Sequence, residues 1–241
     1  MSQEETWVKA NAEKSALKCL KALKKNNFNG YYFSNRNEAL EHMLGSIPPD
    51  ASVGFGDSET VQQIGLPWAL HDRGQKLISP FWEDDPRTYV FPRTEKARQA
   101  TMDALFADCF VAGINAITLD GKIVNTDAGG NRVAGIVFGP RRVILAAGTN
   151  KIVNNVEEAV ERIKKVAAPL NARRHMEHGI GNLLRSIPMA SDSERPSGPP
   201  CALTGECVDC DTCFMCCSTV ILERQLYPRI EVILVGEKLG L

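Results

Sequence analysis

The chain has 241 residues, 44% of them apolar, and a formal net charge of −1. That length can bury a substantial core, in one α/β domain or a domain with an appendage. The near-zero charge leaves no global field to recruit nucleic acid or an anionic membrane. No apolar run approaches a membrane span, and the opening Met1-Ser-Gln-Glu-Glu has no apolar signal core. A cytoplasmic location is therefore the expectation. In a reducing cytosol the eight cysteines are expected to hold metal and not to form disulfides.

Residues 5–25 read as an amphipathic helix with Val8, Ala12, Ala16, Leu17, Leu20 and Leu23 on one face. Tyr31-Tyr32-Phe33 reads as a first strand, and residues 37–45 as a helix ended by Gly45 and Pro48-Pro49. Ala51-Ser-Val-Gly-Phe-Gly is a short strand running into glycine, after which Asp57 or Ser58 can cap a helix from Glu59. A strand is expected over 77–80. Thr94 caps a helix carrying Ala97, Ala100, Ala104 and Leu105, and Phe110-Val-Ala is a buried strand. Asp120-Gly121 between two apolar runs is a hairpin signal. Arg142 to Ala147 is a core strand. Asn155 and Glu158 form a capping-box-like pair before a helix with Val156, Val160, Ile163 and Ala167 inward, and Pro169 marks its end or a kink. Strands alternating with helices predict an α/β fold with a mainly parallel sheet flanked by helices. The boundaries expected are an α/β domain over 1–176, a Gly/Pro-rich linker over 177–200, a cysteine-rich loop over 201–217, and a return strand to the domain within 218–241.

Three segments carry chemistry. Six of the eight cysteines fall between Cys201 and Cys217. Cys207-x-x-Cys210-x-x-Cys213-x-x-x-Cys217 has the spacing of a bacterial ferredoxin loop, with Ser218 where a proline usually follows. Continuous two-residue spacing favours an iron–sulfur cluster, 4Fe-4S first, over zinc, which also accepts four sulfurs. Six candidates for four places leave the ligands open. Next, Gly54-Phe-Gly56-Asp57-Ser58-Glu59-Thr60 lets the backbone turn tightly at a strand end and offers helix amides and hydroxyls to a phosphate or carboxylate; an ordinary capped turn would look the same. Finally, Asn115 to Arg132 concentrates polar side chains around the hairpin. Arg132 can grip an anion bidentately and Lys151 can add a point charge, although a solvated loop is the bland alternative. His175 and His178, three apart near a helix end, are weaker candidates for a metal.

Val53-Gly-Phe-Gly-Asp-Ser-Glu-Thr followed by Ile64-Gly-Leu resembles the early signature of the LUD (lactate-utilisation) domain family. Asn115-Ala-Ile-Thr-Leu-Asp-Gly-Lys-Ile-Val-Asn, Gly130-Asn-Arg-Val-Ala, Gly148-x-Asn-Lys-Ile-Val and Ala167-Ala-Pro-x-Asn-Ala-x-Arg are similar to a branch of that family with a C-terminal cysteine motif, the lactate-utilisation protein C-like branch. The resemblance implies a fold like that of ribose-phosphate isomerase, glucosamine-phosphate deaminase and the CoA transferases, with a C-terminal cysteine-rich insertion. It implies an anion-binding turn at Gly54, Gly56, Ser58 and Thr60. Asn115, Asp120, Asn125, Asn131 and Arg132 become pocket residues. Matching the branch's cysteines gives Cys201, Cys207, Cys210 and Cys217 as metal ligands; Cys213 and Cys216 are additional here.

The function implied is lactate or related organic-acid metabolism. The protein would bind a small phosphate- or carboxylate-bearing ligand and pass electrons through the cluster to iron–sulfur or oxidoreductase partner subunits. One rival is a phosphosugar isomerase or CoA-transferase-like enzyme, for which Asp57, Glu59 and Asp120 are the candidate carboxylates. The glutamate nucleophile of the CoA transferases has no matching motif. The other rival is a zinc-stapled scaffold or regulator without catalysis.

Overall fold

The computed structural model describes residues 3–82, 84–88, 94–177, 200–208 and 215–241. In chain order its elements begin with α1 (Gln3–Lys25), β1 (Asn29–Phe33), α2 (Arg36–Ser46), β2 (Val53–Phe55), α3 (Glu59–Ile64), α4 (Leu66–Asp72) and β3 (Leu77–Ile78). Next come α5 (Glu95–Ala104), β4 (Cys109–Gly113), the hairpin β5 (Ala116–Thr118) and β6 (Ile123–Asp127), α6 (Asn131–Phe138) and β7 (Arg142–Gly148). A 3-10 turn at Thr149–Lys151 leads to β8 (Ile152–Val153), α7 (Val156–Arg162), a π-helical stretch at Ile163–Ala167 and α8 (Ala168–Glu177). The remaining elements are α9 (Pro200–Thr204), β9 (Ser218–Leu222) and β10 (Ile230–Val235).

The main sheet is parallel throughout, in the order β1-β10-β7-β4-β2-β3. Alternate residues of its central strands face opposite layers, as the two-residue period of a strand requires. Cys109, Val111, Ile144, Ala146, Ile233 and Val235 pack under α2, α3 and α4. Phe110, Ala112, Val143, Leu145, Val232 and Leu234 pack under α1, α5 and α6. Both faces are covered, so β4, and β10 apart from Glu231, are apolar without alternation. This is the α/β architecture expected from the alternating elements.

A second, four-stranded sheet, β8-β5-β6-β9, was not anticipated. Ala159 and Ile163 cover it together with Ala168. The hairpin is where Asp120-Gly121 places it, with Ile117 opposite Ile123 and Gly121 at φ +81°. The closing segment does more than return once. β9 pairs with β6, and β10 inserts between β1 and β7, one strand in from the edge of the main sheet.

One local expectation changes and two alternatives resolve. The buried stripe of α1 is Ala16, Cys19 and Leu23, while Val8 and Leu17 are each 46% exposed, because the helix meets the sheet only through its C-terminal half, and there on the side that carries Cys19 and not Leu17. Ser58, not Asp57, caps α3, its Oγ accepting from Val61 N at 3.2 Å. Pro169 does not end the helix. The π-helical stretch absorbs the missing N–H just before it, and α8 continues to Glu177. Most of the expected linker, 178–199, lies outside the described residues, as do His178, Cys210 and Cys213.

Candidate functional site

In open α/β sheets ligands bind beyond the carboxyl ends of the strands. A cavity of about 370 Å³ lies there, beyond β2 and β4, walled by α3, the β6–α6 turn, the 3-10 turn and α8. Ser58, Asn115, Asn131 and Arg132 line it. Asp57, Glu59, Lys151, Asn171, Arg174 and His175 line it too.

Arg132 is aimed by its neighbours. Its Nη2 donates to Asn115 Oδ1 at 3.0 Å and to Thr126 O at 2.6 Å. Asn115 is itself fixed: its N–H donates to Asn125 Oδ1 at 3.0 Å, and its Oδ1 accepts from Thr126 N at 2.9 Å. Asp127 Oδ2 accepts from the backbone N–H groups of Arg132 and Val133, at 2.9 and 3.2 Å, which seats the first turn of α6. Gly56 leaves room for the arginine stem, since a Cβ there would stand 2.8 Å from Arg132 Cγ.

Lys151 is only 4% exposed. Its Nζ donates to Thr60 Oγ1 at 2.9 Å, and no carboxylate among the described residues forms an ion pair with it. Burial pushes its pKa down to about 7, and the charges of Arg162 and Arg132 push the same way, against the pull of Glu59. Arg162 holds this corner together, donating to Asn115 O at 2.6 Å, Asn150 O at 3.2 Å and Leu241 O at 3.0 Å. Burial lowers its own pKa to about 10.

On the opposite wall Arg174 forms a two-pronged pair with Asp57, one prong at 3.0 Å, and lies 3.8 Å from Glu59. His175 Nε2 is 3.9 Å from Asp57 Oδ2. Two of the three carboxylates named for an enzyme thus share the cavity.

The expected residues divide by role. Gly54 lies behind the wall, where a Cβ would strike the backbone oxygen of Ala104. Gly56, Thr60 and Asn125 support residues that line the cavity and are not on its surface. Asp120 is elsewhere: it accepts from Thr118 Oγ1 at the hairpin tip, and its backbone oxygen accepts from Asn26 of the α1 end at 2.9 Å. The Ser58 hydroxyl accepts from Val61 N and the Thr60 hydroxyl from Lys151 Nζ. Asn171 and Arg174 were not singled out as site residues. They are the two polar positions of Ala167-Ala-Pro-x-Asn-Ala-x-Arg, three apart on one helix face, and that spacing was the available signal.

The cysteine segment borders this cavity. Cys201 and Cys207 join Met176 and Met215 in a small cluster against Ala172. Cys217 N donates to Asp127 O at 3.0 Å, and Cys216 lines the cavity beside Met215. Among the described residues no three His, Cys, Asp or Glu side chains converge as metal ligands. The described thiols therefore do not close a four-sulfur site by themselves, and Cys210 belongs to the ligand set expected from the sequence but not to the described residues. No helix among the described residues is long and apolar enough to cross a membrane.

Among curated proteins none matches this chain. A solved structure of a DUF162 family protein from Deinococcus radiodurans aligns over 95% of this chain and 98% of its own, at 12% identity and a TM-score of 0.45. Residues 17–185 match the family described as the LUD domain. That match spans well over half of the sequence and both strand-end turns of the cavity, so the chain belongs to the LUD domain family.

Proposed function

We propose that this LUD-domain protein serves lactate or related organic-acid metabolism by binding a small carboxylate- or phosphate-bearing ligand in the strand-end cavity. The observation that carries this reading is the convergence of Arg132 and Lys151 on one cavity, the lysine having no carboxylate partner among the described residues. With Nη2 committed to Asn115 and Thr126, the remaining guanidinium donors of Arg132 beside a buried amine suit a carboxylate or a phosphate. A ligand that binds only the folded state raises the melting temperature in proportion to RT ln(1 + [L]/Kd). Lactate, pyruvate and inorganic phosphate, compared at matched ionic strength, should therefore separate. At least one should stabilise the protein; equal, negligible shifts for all three would count against the reading.

The cysteine spacing supports a second component, an iron–sulfur cluster held by thiolates of the 201–217 segment, with zinc as the alternative. If redox-active, such a cluster supplies one-electron exchange with iron–sulfur or oxidoreductase partner subunits. Anaerobic purification followed by iron, sulfide and zinc analysis decides it: stoichiometric zinc without iron would leave the stapled-scaffold reading. The enzyme alternative, a phosphosugar isomerase or CoA-transferase-like activity, is favoured by one observation, the presence of Glu59 in the same cavity as Lys151. It predicts that Glu59→Gln abolishes turnover while leaving ligand-induced stabilisation in place.

A further inference from the structure

We propose that Lys151 is a nucleophilic amine that captures a small 2-oxo acid in the cavity as a Schiff base. The proposal rests on the anion-binding reading above and deepens it by naming the ligand class.

The geometry supplies what this chemistry requires. The amine lies in the wall of a cavity large enough for a compound of a few carbons. It is 4% exposed, so bulk water does not compete freely for it. Its one hydrogen-bond partner among the described residues is the Thr60 hydroxyl, at 2.9 Å. A hydroxyl can accept from an ammonium or donate to a neutral amine, so this contact survives loss of the proton. Arg132 lines the same space and can hold the carboxylate of a ligand whose carbonyl faces the lysine.

The electrostatics point the same way. A lysine kept only to hold an anion should stay protonated. This one is surrounded so as to shed its proton: burial comes first, then Arg162 on α7 and Arg132 on α6, with Glu59 on α3 opposing them. Asp57, Asp127, Arg174 and His175 are the further charged side chains of the cavity; Asp57 and Arg174 are paired with each other, and Asp127 Oδ1 lies 3.8 Å from Arg132 Nε. The unprotonated amine is the nucleophile in Schiff-base chemistry, and desolvation is a recognised way to supply it at neutral pH.

The step balances without an added oxidant or reductant. The lone pair of Nζ attacks the carbonyl carbon as the C=O π electrons move to oxygen. One proton passes from nitrogen to that oxygen, giving a carbinolamine. The second nitrogen proton leaves with the hydroxyl as water, and a carbon–nitrogen double bond remains. Glu59 shares the cavity with Lys151, and the proposal assigns it the relay of these protons.

The test treats the full chain with pyruvate and sodium cyanoborohydride at pH 7, followed by intact-mass measurement and peptide mapping. Lactate, the same anion without the carbonyl, is the control, and melting curves with both compounds run in parallel. The expected result is one reduced adduct at Lys151, enriched more than about ten-fold over any other lysine, since an ordinary lysine is only about one part in a thousand neutral at that pH. The adduct should be absent with lactate and absent in Lys151→Arg. Stabilisation by lactate or pyruvate with no adduct, or with adducts spread evenly over the lysines, overturns the Schiff base and leaves the anion site standing. Neither stabilisation nor adduct overturns both.

Discussion

Burial sets the proton affinity of Lys151, and the consequence is measurable as stability. Its pKa is about 7 in the folded chain against an ordinary 10.5. The unfolded chain therefore binds the extra proton between those values. Below pH 7 both states are protonated and the full cost of the buried charge, on the order of 5 kcal/mol, is present. As pH rises from 7 to 10.5 that cost is relieved. Lys151→Met should accordingly melt above the wild type at pH 6, and the gap should shrink steadily towards pH 10; a gap independent of pH would show that the lysine is not desolvated. Gly56 makes the complementary point about space. Because a Cβ would sit 2.8 Å from Arg132 Cγ and 3.2 Å from Ala112 Cβ, Gly56→Ala should cost about 1–3 kcal/mol in chemical denaturation and weaken anion-induced stabilisation. The glycine and the arginine are both visible in the sequence as candidates. Their contact is not, because it joins positions 76 residues apart through the meeting of β2 and α6.

Helix α8 shows how an element is fixed by one side-chain pair and one backbone adjustment. The π-helical stretch at Ile163–Ala167 accommodates Pro169 and lets the helix run on to present Asn171, Arg174 and His175 to the cavity. Asp57, at the end of β2, grips Arg174, both side chains being only 13–14% exposed. Asp57→Ala takes from a buried guanidinium its two-pronged carboxylate partner and leaves Glu59, among the described residues, 3.8 Å away. Breaking such a pair costs about 3–5 kcal/mol, so the variant should unfold at clearly lower denaturant, and protease should cut first around α8. An unchanged midpoint would contradict the tethering role. The caps were legible. Thr94 Oγ1 accepts from Ala97 N and Asn155 Oδ1 from Glu158 N, at 3.1 and 2.9 Å, because capping depends on residues three apart. The continuation of α8 past Pro169 was not legible, since a proline in sequence signals the lost N–H but not the wider turn that tolerates it. The inward face of α1 was misread for a related reason. Periodicity finds a stripe, but only tertiary packing decides which turns of it touch the sheet.

At the scale of the molecule, the chain folds back on itself so that its last strand, β10, lies between β1 and β7 and its cysteine segment borders the cavity. A return strand within 218–241 was expected from the sequence, but nothing local could place it between β1 and β7. The second sheet went unforeseen because β8 has two residues and β9 is largely exposed, so neither gives a strong pattern. The strand-end cavity follows from the fold itself, whereas its charge follows from Arg132, Lys151 and Arg174, which three different elements deliver. Titrating lactate into wild-type protein and into Arg132→Met by calorimetry, with melting curves to show that both are folded, examines that cavity directly. A saturable, single-site heat that weakens about ten-fold or more in the variant, as loss of a charge-assisted hydrogen-bonding group requires, is the predicted result. Equal lactate affinities in the two proteins would contradict the assignment of the cavity as the ligand site, as would failure of lactate, pyruvate and phosphate alike to bind.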